Sequence, residues 1–387
     1  MEKVRVAILG CGSRGNAHGA AWKQLLDVDV VALCDIDPER LHAAGERLGV
    51  ARRYADLEEM FACEDLDVVS VPARADWHFP LARAVLEHGV SAVVEKPITL
   101  DLREADQLVD RAGAQGCLLA VHHQNSVGPV QQKAKALLAA GAIGELRCLR
   151  GECKGYYGGF GMMETGTHIL DQMRNFGGEV EWVQARVTVR GRDIGAQDVA
   201  QAPRGLGLVA GDHVTAYYAF RNGVYGTIES FYRPKLESRF SGVDLIGTEG
   251  MLCWRTGGNG LYLVKEPIGN LMGGASWEAV SLSEEDRRVP GTDLISDDSG
   301  VWMAQEMVNA LRQKREHACN GAAARTVLEM ILGCYTSHAC GGRAQLPLLD
   351  RTHPLQRLCE AAGVPVPEFR VSTDAEFLAA EWARSGR

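Results

Sequence analysis

The 387-residue chain predicts an α/β protein in two parts: an N-terminal doubly wound parallel sheet, then an α+β domain on a mostly antiparallel sheet. Three observations predict it. Over the first 123 residues short apolar strands alternate with amphipathic helical stretches, the pattern of a parallel sheet covered on both faces. A G-x-G-x-x-G string formed by Gly10, Gly12 and Gly15 closes the first strand and opens the first helix. After about Gly144 apolar and polar residues alternate with period two, and Asn222-Gly223 has the signature of a tight hairpin.

The elements follow in order. Strands are predicted at Val4–Leu9, Val28–Cys34, 67–71, Ser91–Val94 and 117–122, with helices between them. The first strand, glycine turn and helix make the Rossmann dinucleotide unit. Its glycines permit a tight turn, close approach of the backbone to a pyrophosphate, and helix-on-strand packing. Ser13 and Arg14 lie at the helix N-terminus, where the phosphates would sit. Asp35, twenty residues after Gly15, ends the second strand where a carboxylate accepts hydrogen bonds from the adenosine ribose. That carboxylate repels a 2′-phosphate, so NAD is favoured over NADP. Arg14 or Arg40 would weaken the preference by turning toward the ribose, and on a solvated helix face would leave it intact.

Three groups carry chemistry. Glu95-Lys96-Pro97 emerges at the carboxyl edge of the sheet, where doubly wound folds bind ligands. There an X-Pro bond, expected to be cis, can aim a lysine into the cleft, although a lysine at a strand end also reads as a solvated charge. His122 and His123 end another strand. Adjacent strand residues face opposite ways, so one of them at most meets the cleft and the pair lacks a clear third partner for a metal. No metal site is expected, and His123 is the candidate substrate contact. In the second part, Glu164 and His168 stand four apart on a helical segment and share a face. His168 reads as a proton-transfer group or as a packing or capping histidine. Asp171 either orients its imidazole or pairs with Arg174. Upstream, Tyr156 and Tyr157 read as stacking partners of a sugar ring or as packing residues, and Lys154 as a weaker candidate contact.

Further strands are predicted at 183–190, 214–221 and 224–232, loops at 193–211 and 265–291, and helices at 301–314 and 322–339. The resulting division is 1–123, 124–349, and a C-terminal extension 350–387. The extension has a helical stretch at 374–383 that either enlarges a dimer surface or covers a neighbour's cleft.

Composition excludes several classes. Net charge is −9 with no basic stripe, which disfavours nucleic acid. No apolar run is long enough to span a bilayer, and a strand at Val4 leaves no room for a leader. Eleven cysteines without C-x-x-C spacing read as reduced core residues of a cytoplasmic protein.

These motifs, in this order, resemble the Gfo/Idh/MocA family of NAD(P)-dependent oxidoreductases. They comprise the Gly10, Gly12, Gly15 fingerprint, Asp35, Pro72 with Trp77-His78, Glu95-Lys96-Pro97, 141–144, Gly166 with His168 and Asp171, 247–250, and 341–343 ahead of Leu346-Pro347. The resemblance covers the chain to about Leu349. It implies a C-terminal domain built on an open sheet whose free face mediates homodimers or homotetramers. It also implies NAD-linked oxidation of a secondary hydroxyl of a sugar, inositol or related polyol, or the reverse reduction. Lys96 would hydrogen-bond the reacting oxygen and His168 would be the acid/base. Pro72, Trp77, His78, Glu95 and Pro97 would border the cofactor. The chain departs from the family pattern with Glu164 in place of the common aspartate, Val71-Pro72-Ala73 in place of Thr-Pro-Asn, and Asn125 and Ser126 where an arginine is common. These departures bear on substrate more than on chemistry. Two other activities stay open: glycosidic cleavage through transient sugar oxidation with retained NAD, and a non-catalytic dinucleotide or sugar sensor.

Overall fold

A computed structural model describes residues 2–155, 157–232, 241–256, 260–267, 276–369 and 372–384. Tyr156 and the stretch 268–275 of the expected loop 265–291 lie outside them. The chain divides into two compact units, one of 1–99, 103–129 and 287–325, the other of 100–102, 130–286 and 326–387.

In the first unit, strands β1 (Val4–Leu9), β2 (Val28–Cys34), β3 (Arg52–Tyr54), β4 (Val68–Val71), β5 (Ser91–Val94) and β6 (Leu119–Val121) form a parallel sheet in the order β3-β2-β1-β4-β5-β6. The order reverses beside β1, which opens the crevice for a ligand at the carboxyl ends of β1 and β4. Central strands such as β4 are buried throughout, as a sheet covered on both faces requires. Helices α1 (Ser13–Trp22), α2 (Pro38–Leu48) and α3 (Leu57–Cys63) follow the first three strands. Asp37 caps α2 by accepting from the N–H groups of Glu39 and Arg40, and Asp56 caps α3 through Glu59 N–H.

The helix Ser299–Gln313 returns from far along the chain to pack on α1. Trp302, Met303 and Met307 join Trp22, Val6 and Leu33 in one core, each large side chain contributing roughly 1.5–3 kcal/mol on burial. Read along the sequence, this helix falls in the second domain. Its amphipathic pattern was visible, but the pattern does not state which sheet its apolar face meets.

In the second unit, β7 (Leu146–Glu152), β8 (Val180–Val189), β9 (Arg192–Asp193), β10 (Ala200–Gln201), β11 (Leu208–Val209), β12 (His213–Phe220), β13 (Tyr225–Phe231), β14 (Gly242–Gly247), β15 (Met251–Arg255), β16 (Leu261–Val264), β17 (Glu278–Ala279) and β18 (Ala344–Gln345) are present. The main sheet runs β17-β16-β15-β14-β7-β13-β12-β8-β18, with β9 on β8 and β10–β11 forming a separate small pair. Among the described strands of this main sheet, only β7 and β13 pair in parallel. The Asn222-Gly223 turn joins β12 to β13, with Gly223 at φ 86° and Asn222 Oδ1 accepting from Val224 N–H at 3.1 Å. Helices cover one face. Tyr218 donates to Met330 O at 3.0 Å in the helix Gly321–Cys340. On the other face Tyr217 and Tyr225 stay 36 % and 42 % exposed.

Candidate active site

The nucleotide-binding turn is built by β1 and α1. Gly10 stands at φ 111°, a conformation that L side chains rarely adopt. A Cβ on Gly15 would lie 1.9 Å from the Gly10 carbonyl, so the first and third glycines are required by the protein itself. A Cβ on Gly12 would meet nothing within 4 Å. The space beside Gly12 is therefore available to a ligand that approaches the backbone. No side chain caps α1, whose first N–H groups are left for an anion, in contrast to α2 and α3.

Asp35 Oδ2 accepts Cys11 N–H at 2.6 Å and Oδ1 accepts Asp37 N–H at 2.8 Å. Each oxygen keeps a lone pair for a ribose hydroxyl. Arg40 is paired with Asp37 at 3.1 Å, and Arg14 Nε lies 3.9 Å from Glu95. These residues fit a dinucleotide whose ribose carries free hydroxyls.

At the carboxyl end of β5, the Lys96-Pro97 bond is cis, as expected. Glu95 Oε2 accepts the backbone N–H of Lys96 at 3.0 Å. The other oxygen, Oε1, lies 3.3 Å from His18 Nε2 and 3.6 Å from His122 Nδ1, and Ser70 Oγ lies 2.8 Å from His18 Nδ1. Burial is the largest influence on the Glu95 carboxyl and works to raise it, but the hydrogen bond from His18 and the attraction of the His122, His18 and Lys96 side chains together outweigh it and hold the group well below the usual carboxylate range. Burial, then the facing His18, pushes His122 down to about 3, so its ring is uncharged at neutral pH.

Three ligand-type atoms thus lie within 4.8 Å of one another. The two rings stack with centroids 4.0 Å apart and planes 25° apart. The cluster sets a buried carboxylate against two stacked imidazoles, hydrogen-bonded to His18 and faced by His122 from 3.6 Å. The sequence brings His122 only beside its neighbour His123 and leaves His18 unconnected, because strand and helix separate the partners. His123 itself is enclosed at 2 % exposure instead of lying open for a substrate.

His78, expected beside the cofactor, is buried. Its Nδ1 lies 2.7 Å from Pro97 O and its Nε2 3.1 Å from Ala73 O, so it ties two loops together. Burial holds its ring below the usual range. Trp77 is half exposed. Pro72 and Ala73 close over Gly10, 3.5 Å from where its Cβ would stand.

In the second unit, one helical run carries both predicted polar groups: Gly158–Gly161, a widened π-type turn Met162–Gly166 holding Glu164, and Thr167–Gly177 holding His168. A Cβ on Gly151 would lie 2.7 Å from Ile169, and one on Gly226 2.5 Å from Met173. These glycines in β7 and β13 let the His168 helix lie directly on the sheet. Glu164 Oε1 accepts from Arg204 Nη1 at 3.0 Å. Asp171 accepts from Arg174 at 3.1 Å and Asn175 at 3.2 Å, so the Arg174 pairing is made. Lys154 is half-buried. Tyr157 is not set to stack on a sugar: it is 4 % exposed, donates to Glu381 Oε2 at 2.8 Å and packs edge-on against Phe377. Lys96 belongs to the first unit and His168 to the second.

Residues 4–123 match the oxidoreductase family with an NAD-binding Rossmann fold, and 131–253 match the GFO/IDH/MocA C-terminal domain. A D-apiose dehydrogenase of Rhizobium rhizogenes is 26 % identical over 356 residues, 88 % of this chain and 97 % of that protein. A D-apiose dehydrogenase of Paraburkholderia graminis is 31 % identical over 212 residues, 52 % of this chain and 56 % of that protein. The structure of levoglucosan dehydrogenase in complex with NADH superposes with a TM-score of 0.75 at 19 % identity, covering 90 % of this chain and all of that one. The glycine turn, Asp35, the Glu95-Lys96-Pro97 corner and both matched domains place this chain in the Gfo/Idh/MocA family of oxidoreductases.

Proposed function

We propose that the protein is an NAD-dependent dehydrogenase that oxidises a secondary hydroxyl of a neutral sugar, inositol or related polyol, or reduces the matching ketone. The observation that carries this reading is the Glu95-Lys96 corner. A lysine follows a clasped, ionised carboxylate on the same edge of the sheet as an uncapped helix N-terminus and a ribose-binding aspartate.

The nicotinamide, when bound, supplies the hydride acceptor. An alcohol carbon releases hydride readily only as its oxygen loses a proton, so the protein must hold that oxygen and take the proton. Lys96, as ammonium, donates a hydrogen bond from Nζ to the reacting oxygen and stabilises its developing charge. His168, with an imidazole suited to proton exchange near neutrality, takes the hydroxyl proton. Glu164 accepts hydrogen bonds from other substrate hydroxyls. Asp35 excludes a 2′-phosphate by charge, which favours NAD over NADP.

The exposed aromatic row of the second sheet supports self-association. Trp182 stacks on Tyr217 at 5.3 Å, Tyr217 on Tyr225 at 5.5 Å, and Arg343 covers Trp182 at 4.0 Å. Such a face suits a second copy of the chain.

The experiment is NADH formation by purified protein over inositols, aldoses, uronates and glycosides, with consumption of each compound followed in the same tube. NADH appearing in step with one neutral sugar or polyol is expected. Glycoside loss without NADH would replace dehydrogenation by redox-assisted bond cleavage.

A further inference from the structure

The C-terminal extension is fastened to the second unit around Glu164. The helix Asp374–Arg384 supplies Asp374, whose carboxylate takes Arg204 Nε at 2.9 Å and also Nη2. The remaining arm of the same guanidinium, Nη1, holds Glu164 at 3.0 Å. Arg204 stands at φ 59° in the turn Pro203–Gly205, and its guanidinium lies 5.7 Å from the centre of the Phe160 ring. Five further contacts anchor the extension. Tyr157 binds Glu381, Phe377 packs against both Tyr157 and Phe160, Gln201 donates to Pro367 O at 2.9 Å, and Arg204 N–H reaches Ser372 O at 3.4 Å.

We propose that Arg204, held from behind by Asp374 of the C-terminal helix, is a specificity-determining residue that makes the Glu164 subsite select neutral polyols against sugar acids. The proposal rests on the reading of Glu164 as a substrate contact. Charge and fork geometry produce the selection. A guanidinium recognises a carboxylate best through two parallel N–H groups. Here one such edge is taken by Asp374 and the neighbouring arm by Glu164. The trio carries one net negative charge, so a sugar carboxylate brought to Glu164 meets repulsion and finds no open fork. A neutral hydroxyl donates to Glu164 without either cost. Partial exposure of Arg204, at 46 %, leaves its charge within reach of a bound ligand while water screens it, which sets a modest size for the effect.

The test compares equilibrium binding of D-glucose with D-glucuronate, and D-galactose with D-galacturonate, to NADH-saturated protein by calorimetry. This readout does not depend on turnover. The wild type should bind the neutral member of each pair more tightly. Asp374→Asn, which frees one edge of the Arg204 fork and removes a charge, should narrow the neutral-to-acid ratio on the order of five- to tenfold, chiefly by tightening the uronate. Glu381→Ala loosens the same helix without touching the fork and should leave the ratio in place. An unchanged ratio in Asp374→Asn, an equal change in Glu381→Ala, wild-type preference for the uronate, or no binding of either sugar would each overturn the proposal. Selective binding that responds to Asp374→Asn in a protein that never forms NADH would uphold it while overturning the dehydrogenase reading.

Discussion

The imidazoles of His18 and His122 stack 4.0 Å apart in the interior, and a single oxygen of Glu95 faces both. The other oxygen of that carboxylate holds the N–H of Lys96. A buried charge is thereby turned into a fixed backbone position one residue from the lysine.

This arrangement has an acid cost with a definite window. An unfolded His122 takes up a proton as pH falls through about 6.5, whereas in the fold it does so only near 3. Between those values the unfolded state binds more protons. Stability is therefore lost on acidification, by up to ~1.4 kcal/mol per pH unit for this one group. Glu95, held below its usual range, loses its own contribution as pH falls from about the ordinary carboxylate value through its lower folded value. Urea midpoints measured between pH 7 and 4.5 should fall less steeply for His122→Gln than for the wild type. The Glu95 loss below that range should persist. Equal slopes would show that His122 is not the buried neutral group described.

Gly12 and Gly15 separate ligand demand from folding demand. Gly15→Ala drives a Cβ into the Gly10 carbonyl and should cost about 1–3 kcal/mol, several degrees in Tm. Gly12→Ala meets only open space within the protein, so Tm should hold while NAD affinity drops on the order of tenfold, as the methyl occupies the place of a phosphate. Thermal melts and NAD titration of both variants distinguish the two effects. Loss of stability without loss of affinity in Gly12→Ala would place the phosphates elsewhere.

Lys96→Ala and His168→Ala should each lower kcat by roughly 10²–10⁴, with NAD affinity little changed, since both are assigned to the reacting oxygen and its proton. A pH–rate profile adds a second readout. The wild-type acidic limb should vanish in His168→Ala if the imidazole is the base, and survive if Lys96 takes that role. Near-full turnover in both variants would remove the assignment.

What the sequence showed of this molecule was local. The β1 turn, Asp35, the Asn222-Gly223 hairpin and the Lys96-Pro97 corner each lie within one short window, where periodicity and turn chemistry act directly. β3 escaped because Arg52–Tyr54 is a three-residue polar edge strand with no alternation to read. The His18, Glu95 and His122 cluster escaped because its members come from three elements, and the Arg204 link from Glu164 to Asp374 because 40 and 170 residues separate the partners. By residue type Tyr157 reads equally as a sugar platform or as a packing residue, and it is a carboxylate at position 381 that captures its hydroxyl. Pairwise burial of this kind is decided by tertiary packing, on which local propensity is silent.

The aromatic row on the open face of the second sheet gives the last prediction. Trp182, Tyr217 and Tyr225 lie on adjacent strands in the order β8, β12, β13, and their rings stack in sequence while two of them stay more than a third exposed. Exposed aromatic surface of this extent on a sheet face is costly in water and is relieved by covering it. In a C2 pairing the same row meets itself, so one substitution acts twice across the interface. Tyr217→Glu places like charges opposite each other in such a pair and should shift the particle toward the mass of a single chain in light scattering. Melting of the unassociated variant should change little, because Tyr217 points away from the core helices of its own unit. A Tyr217→Glu protein whose mass equals that of the wild type at every concentration would remove this face as the contact between copies.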